Sequence, residues 1–179
     1  FNSTVTIGGS AVSTISANTI ANRGSSYTVA DSVAGAGTDL LISSTIANAG
    51  AGTEELIKNG PGTMELTAVN SYTGATTVNE GVLLLTSARI NAASSITIDN
   101  ATLRFAGTTN NQINNNTVAI QNGATITDDT TGSNVHSIGA ATFSNGGTLT
   151  STGTARNGTF GNYFKSGAFT VSGNALATI

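Results

Sequence analysis

Short alternations of Val, Ile, Leu and Thr, three to six residues long and bounded by Asn and Gly, run from one end of the chain to the other. A spacing of three or four between apolar positions, which would mark a helix, is almost absent, so the pattern predicts β-strands and tight turns throughout. The alternations also recur in register. Thr77-Val78-Asn79-Glu80-Gly81-Val82-Leu83 aligns with Thr97-Ile98-Asp99-Asn100-Ala101-Thr102-Leu103 and with Ala119-Ile120-Gln121-Asn122-Gly123-Ala124-Thr125-Ile126. Thr142-Phe143-Ser144-Asn145-Gly146-Gly147-Thr148-Leu149 and Thr170-Val171-Ser172-Gly173-Asn174-Ala175-Leu176 continue the series. Each copy ends one strand on an apolar residue, turns through Asn and Gly, and begins the next strand. The anchors Val78, Ile98, Ile120, Phe143 and Val171 lie 20, 22, 23 and 28 residues apart. That period belongs to solenoid coils rather than to propeller blades. Val5-Thr6-Ile7-Gly8-Gly9 and Thr28-Val29-Ala30-Asp31 follow the same grammar less clearly. The expectation is an all-β, right-handed parallel β-helix, a β-solenoid of about seven to eight coils forming one domain over residues 1–179.

The densest copy is Gly60 to Leu85, GPGTMELTAVNSYTGATTVNEGVLLL. It resembles the autotransporter-associated β-strand repeat, or passenger-associated transport repeat, of bacterial surface proteins. Gly60, Gly62, Thr63, Leu66, Asn70, Tyr72, Thr73, Gly74, Thr76, Val78, Gly81 and Leu83 carry the resemblance. Met64 replaces the Leu usual in that family, which keeps the position apolar, and Leu40 to Lys58 resembles its lead-in, so the recognised stretch spans residues 40–86. The resemblance implies a β-helix exported by a Gram-negative bacterium and held at or outside the cell surface, where such repeats support secretion and extend the passenger as a stalk. The chain carries none of the amphipathic strands with aromatic girdles that mark a translocator barrel.

Composition narrows the function further. Charged residues make up 8% of the chain, against about 25% in an average soluble domain, yet the β-branched alternations separate it from disordered polar tracts. Arg23, Lys58, Arg89, Arg104, Arg156 and Lys165 are scattered singly, so no basic patch exists to track nucleic-acid phosphates or anionic lipid. No nucleic-acid partner is expected. The longest apolar run, Val82 to Leu85, is far short of the roughly 20 residues of a membrane helix. Without Cys there are no disulfides or thiolate metal sites, and packing and backbone pairing must hold the fold. The start at Phe1, with neither Met nor leader, suggests a processed product or an excerpt of a longer chain.

Candidate chemistry is sparse. His136 is the only histidine, too few for a zinc site, and is expected to be exposed or hydrogen-bonded. Asp128-Asp129, beside Thr130, Thr131 and Gly132, offers oxygens for a weak calcium site, although a solvated turn explains the same residues and Ca²⁺ takes six to eight ligands. Glycoside hydrolysis needs two carboxylates on one face; Glu54 and Glu55 are adjacent and so face opposite ways on a strand. The pairs Thr125-Ile126-Thr127 and Thr148-Leu149-Thr150 are expected to stack, as ordinary solenoid surface or as a small ice-binding array. Tyr27, Tyr72, Tyr163 and Phe164 are the candidate sugar-stacking platform, with Tyr72 also explained by the repeat. Asn110, Asn111 and Asn114 to Asn116 around Ile113 suggest either an internal Asn ladder or a protruding loop. Neither catalytic residues nor a cofactor or metal site is expected.

Both ends alternate like strands. Phe1, Thr4, Val5 and Ile7 at one end, and Phe169, Val171, Leu176 and Ile179 at the other, are the expected assembly strands. Uncapped sheet ends invite pairing between copies, and a head-to-tail contact that does not close propagates as a fibre. The sequence therefore points to a non-enzymatic extracellular structural protein, a subunit of a bacterial surface fibre joined end to end by strand pairing. The alternative is an autotransporter-type passenger segment acting as an adhesin or as a binder of glycan or host surface.

Overall fold

A computed structural model describes residues 4–32, 37–91, 94–131, 134–151, 163–166 and 169–172. The first coil runs through Thr4–Ile7 (β1), Ser13–Ile15 (β2) and Thr19–Asn22 (β3), and the second through Ser25–Val29 (β4), Leu40–Ile42 (β5) and Thr45–Asn48 (β6). Later coils keep two strands each. They are Leu56–Asn59 (β7) with Thr63–Leu66 (β8), Thr76–Val78 (β9) with Val82–Thr86 (β10), and Ile96–Asp99 (β11) with Thr102–Ala106 (β12). Asn116–Gln121 (β13) with Thr125–Asp128 (β14) and Val135–Ser144 (β15) with Thr148–Ser151 (β16) follow, and Tyr163–Ser166 (β17) and Phe169–Ser172 (β18) come last.

These strands stack into a β-solenoid. One sheet has the order β1-β4-β7-β9-β11-β13-β15-β17, with β18 also paired to β15; a second runs β2-β5-β8-β10-β12-β14-β16; and β3 pairs with β6 on a short third side. The pairing is parallel from coil to coil, as in β10 on β12 and β11 on β13. The second sheet has seven strands and therefore six steps, so the body makes about six turns, close to the expected seven to eight.

The five sequence anchors form a single column. Val78 lies in register with Ile98, Ile98 with Ile120, Ile120 with Phe143, and Phe143 with Val171. Below Val78 the column continues through Lys58, Tyr27 and Val5. Alternation explains the interior: Leu83, Leu85, Leu103, Phe105 and Ile126 turn inward from the second sheet and are buried against Val78, Ile98 and Ile120 of the first in one apolar cluster. Each inward residue meets its counterpart one coil away, so burial, not helix or strand propensity alone, fixes the register.

Corners between the sheets need left-handed backbone, which Asn and Gly adopt most readily. Asn122 and Gly123 have φ of 55° and 76°, and Asn145 and Gly146 have 49° and 85°. Asn157-Gly158, the fourth such pair in the sequence, lies outside the described residues. On the outer edge of the first sheet these corners carry an amide ladder. Asn59 Nδ2 donates to Ser26 Oγ (2.8 Å), Asn79 Nδ2 to Asn59 Oδ1 (2.8 Å), Asn122 Nδ2 to Asp99 Oδ1 (2.7 Å) and Asn145 Nδ2 to Asn122 Oδ1 (2.9 Å). Every rung donates toward the N-terminal coil.

The Asn-rich segment at 110–116 is neither an internal Asn ladder nor a protruding loop. It is a packed corner in which Gln112, Ile113 and Asn116 are buried while Asn115 is exposed. Asn111, Asn114 and Asn115 take left-handed φ. Asn111 Oδ1 accepts from the Ser137 N–H at 3.0 Å, and Asn116 Nδ2 donates to the carbonyls of Asn91 and Ser94 in the coil below.

Candidate functional site

The residues that carry the family resemblance build one full coil, and their side chains are used up in joining it to its neighbours. Gly60, Gly62, Gly74 and Gly81 sit where backbones cross at close range. A Cβ on Gly60 would lie 2.5 Å from the Val29 carbonyl oxygen, one on Gly81 2.5 Å from that of Gly62, and one on Gly74 2.5 Å from the Glu55 nitrogen. Only glycine admits that spacing.

The other signature residues serve the third side. Asn70 Oδ1 accepts the Ile46 N–H at 3.0 Å, and its Nδ2 donates to the carbonyls of Ala68 and Arg89, so one amide ties three coils. Asn48 Oδ1 accepts the Thr73 N–H at 3.1 Å, and Asn48 Nδ2 donates to Thr73 Oγ1 at 2.8 Å. Tyr72 is fully buried, with its hydroxyl 2.6 Å from Thr76 Oγ1. Burial pushes the Tyr72 phenol far above its ordinary range, the Thr76 bond opposing the shift. Leu66, Val78 and Leu83 complete the apolar filling.

Two charged side chains lie buried on either side of the corner between β7 and β8. Lys58 occupies the core column, fully buried, and its Nζ donates to the carbonyls of Asn59 (3.1 Å), Gly60 (2.6 Å) and Glu80 (3.0 Å). Three ammonium donors thus meet three acceptors from two coils. Burial holds the Lys58 pKa down at about 8, with Glu80 and Asp39 opposing the shift. Asp39, 1% exposed, receives the Ser32 N–H on Oδ1 (2.8 Å) and the Thr63 N–H on Oδ2 (2.7 Å). The ammonium gathers the carbonyls of this corner and the carboxylate its amides.

A second buried polar group lies in the later coils. His136 is not exposed as an isolated imidazole would be; it is fully buried and stacked on Phe105, ring centroids 4.6 Å apart. Its Nδ1 accepts the Gln112 main-chain N–H at 3.3 Å, which places the ring proton on Nε2, 3.6 Å from Asp128 Oδ1. Asp128 is likewise buried rather than part of a solvated turn, and Oδ1 accepts the Thr130 N–H (3.0 Å) and hydroxyl (2.6 Å). Burial acts to raise the Asp128 pKa, but the bonds from His136 and Thr130 outweigh it and hold the carboxyl below its ordinary value.

Asp129 turns outward to pair with Arg104 at 2.6 Å, so the two adjacent carboxylates do not converge on one cation. Among the described residues no group of three His, Cys, Asp or Glu is placed to hold a metal. Tyr27 and Tyr72 are both buried and cannot stack on a sugar. The side chains of Tyr163 and Phe164 lie outside the described residues, although their backbones pair with Val135 and His136. Thr125 and Thr127 do stack on Thr148 and Thr150.

Of the expected assembly strands, Thr4, Val5 and Ile7 form β1, which has β4 as its strand neighbour at the margin of the first sheet. Phe169 and Val171 lie on β18, paired to β15, and Val171 is 53% exposed. Phe1, Leu176 and Ile179 fall outside the described residues.

Residues 56–85 match the family model of the passenger-associated-transport-repeat, a narrower span than the 40–86 expected from the sequence. The match covers β7 to most of β10, the stretch whose glycines lie against the backbone of the preceding coil. No curated protein and no solved structure matches the chain.

Proposed function

We propose that this chain is a non-enzymatic passenger-type solenoid, displayed at or beyond a bacterial surface, whose task is to form a stalk. The observation that supports the reading is how the repeat spends its signature residues. Gly60, Gly62, Gly74 and Gly81 permit backbone approach, and Asn70 and Tyr72 bond coil to coil. Signature positions of an enzyme converge on a cleft; these are spread around one coil and turn to the coils beside it, as stacking requires. The polar groups that most resemble catalytic machinery, His136 and Asp128, are both fully buried.

A second reading, a fibre built from copies joined end to end, rests on the strands at the margins of the first sheet. Val5 and Ile7 are half-buried where Tyr27 and Val29 one coil on are fully buried, and Val171 is exposed in the same column as Val5. Laying a second copy in register would place Val171 on Val5 and Thr170 on Thr4, apolar on apolar and Thr on Thr.

Negative-stain electron microscopy of the purified chain, with and without residues 1–7, separates the two. Short rods of constant width in both samples support the stalk. Filaments that vanish on deletion support end-to-end assembly, and globular particles in both would refute either solenoid reading.

A further inference from the structure

The outer side of the second sheet carries an arrangement of charge around an aliphatic centre. Outward positions alternate with the buried ones, and one outward line runs from coil to coil through Thr14, Leu41, Glu65, Leu84, Arg104, Thr127 and Thr150. The line sets an acid and a base one strand to either side of Leu84. On the same strand Val82 also turns outward, and both side chains are half-buried. A corresponding outward line on the first sheet, through Ser26, Ile57, Thr77, Thr97, Ala119 and Thr142, has no charge and a single large aliphatic residue.

The order of these residues has a centre of symmetry in the sheet. β10 is the middle strand of seven, with β8, β5 and β2 on one side and β12, β14 and β16 on the other. A two-fold axis lying along β10, between two facing copies, keeps the strand direction and reverses the stack. Leu84 and Val82 then come opposite Leu84 and Val82 of the second copy, Glu65 opposite its Arg104, and Arg104 opposite its Glu65. Two coils from the centre, Leu41 falls opposite Thr127, and three coils out Thr14 falls opposite Thr150. The remaining outward charge is also accommodated: Asp129, one residue past Asp128, comes opposite Ser43, one residue past Ile42 and exposed.

Both members of the ion pair have bonding capacity left for a second copy. Arg104 is held to Asp129 through Nε, its side chain is 41% exposed, and a guanidinium carries further N–H donors. Glu65 takes the Thr38 hydroxyl on Oε2, and a carboxylate has a second oxygen to offer. Strands of three to five residues, stacked about 4.8 Å apart, give this sheet roughly 400 Å² of outer face. A pair therefore buries about 800 Å² in all, in the range of weak and reversible contacts.

We propose that the outer face of the second sheet is a self-docking surface, on which two copies pair side by side, with their stacks reversed, about a two-fold axis at Leu84. The contact is lateral and closes at two, whereas end-to-end strand pairing is open and uses the margins of the sheets.

Sedimentation analysis of the full chain from about 10 µM to 1 mM should show the mass rising toward that of a dimer. Leu84→Asp puts a charge at the centre of the contact without entering the core, and should weaken pairing about tenfold or more. A chain that stays monomeric, or association that Leu84→Asp leaves unchanged, overturns the proposal; the second result would assign the association to the strand ends. Glu65→Arg and Arg104→Glu each set like charges opposite one another at both ends, and each should weaken pairing about tenfold or more. Mixed in equal amounts, these two variants recover both opposite-charge pairs, because the two-fold lays position 65 of one copy on position 104 of the other. The mixture should then associate about tenfold more tightly than either variant alone, and a mixture no tighter overturns the two-fold. Should Leu84→Asp not fold, the mixing experiment decides by itself.

Discussion

Replacing Gly74 by Ala tests whether the repeat glycines exist for close approach. The φ of Gly74 is not left-handed, so a side chain there meets a steric objection alone. Its Cβ would stand 2.5 Å from the Glu55 nitrogen, closer still to the Glu54 carbonyl, where ordinary contact begins at 3.4 Å. The coil must move by about 1 Å, roughly a fifth of the distance between stacked strands. Three bonds straddle the crossing: Thr73 N–H to Asn48 Oδ1, Asn48 Nδ2 to Thr73 Oγ1, and Leu56 N–H to the Ala75 carbonyl. At about 1 kcal/mol each, their loss destabilises by about 3 kcal/mol, a drop of roughly 6–12 °C in Tm for a chain of this size. Thermal unfolding followed by circular dichroism reads it. Gly50→Ala meets nothing within 4 Å and carries no left-handed φ, so it should stay within about 0.5 kcal/mol of the parent. Gly123→Ala also meets nothing but has φ +76°, and should cost about 1 kcal/mol from backbone strain alone. Gly74→Ala indistinguishable from Gly50→Ala would refute the steric account of the repeat.

Lys58 predicts an unusual alkaline profile. Its folded pKa of about 8 lies below the unfolded value of 10.5, so between those values the unfolded chain binds the extra proton and stability rises with pH, by at most about 3 kcal/mol. Urea midpoints from pH 7 to 9.5 should climb in the parent and flatten in Lys58→Met; a falling parent curve overturns the reasoning. The window closes near pH 10, because Tyr27 and Tyr72 have raised pKa values and their contribution is lost as the unfolded phenols ionise. In the outer amide ladder Asp99 accepts from Asn122 but has no N–H to pass on to Asn79. Asp99→Asn supplies that donor and should stabilise by about 0.5–1 kcal/mol in urea unfolding; a lower midpoint than the parent's would argue against the ladder.

The stacking was legible in the sequence because it follows from alternation. Val78, Ile98, Ile120, Phe143 and Val171 were aligned by their neighbours alone, and they form one column. Lys58 was not legible as the next member. A lysine at that place reads as a solvated residue, and the carbonyls that make its burial tolerable come from Asn59, Gly60 and Glu80, 22 residues away at the farthest. His136 and Asp128 escaped for the same reason: eight positions apart, they meet through a corner whose path the sequence does not trace. One further signal lies in the sequence. Thr19-Ile20-Ala21-Asn22 and Thr45-Ile46-Ala47-Asn48 are identical and pair residue for residue as β3 and β6, which would have placed the third side.

The strands lie across the stacking axis, and that orientation sets how the body answers a pull. Tension along the axis peels one coil from the next, breaking the bonds of a rung in turn rather than all together. A coil such as Val78 to Ile98 stores 20 residues in a rise of about 4.8 Å and yields about 70 Å of extended chain when it peels away. The molecule would thus behave as a coiled tether, giving length in increments under load and recovering it by rewinding onto the coil still in place.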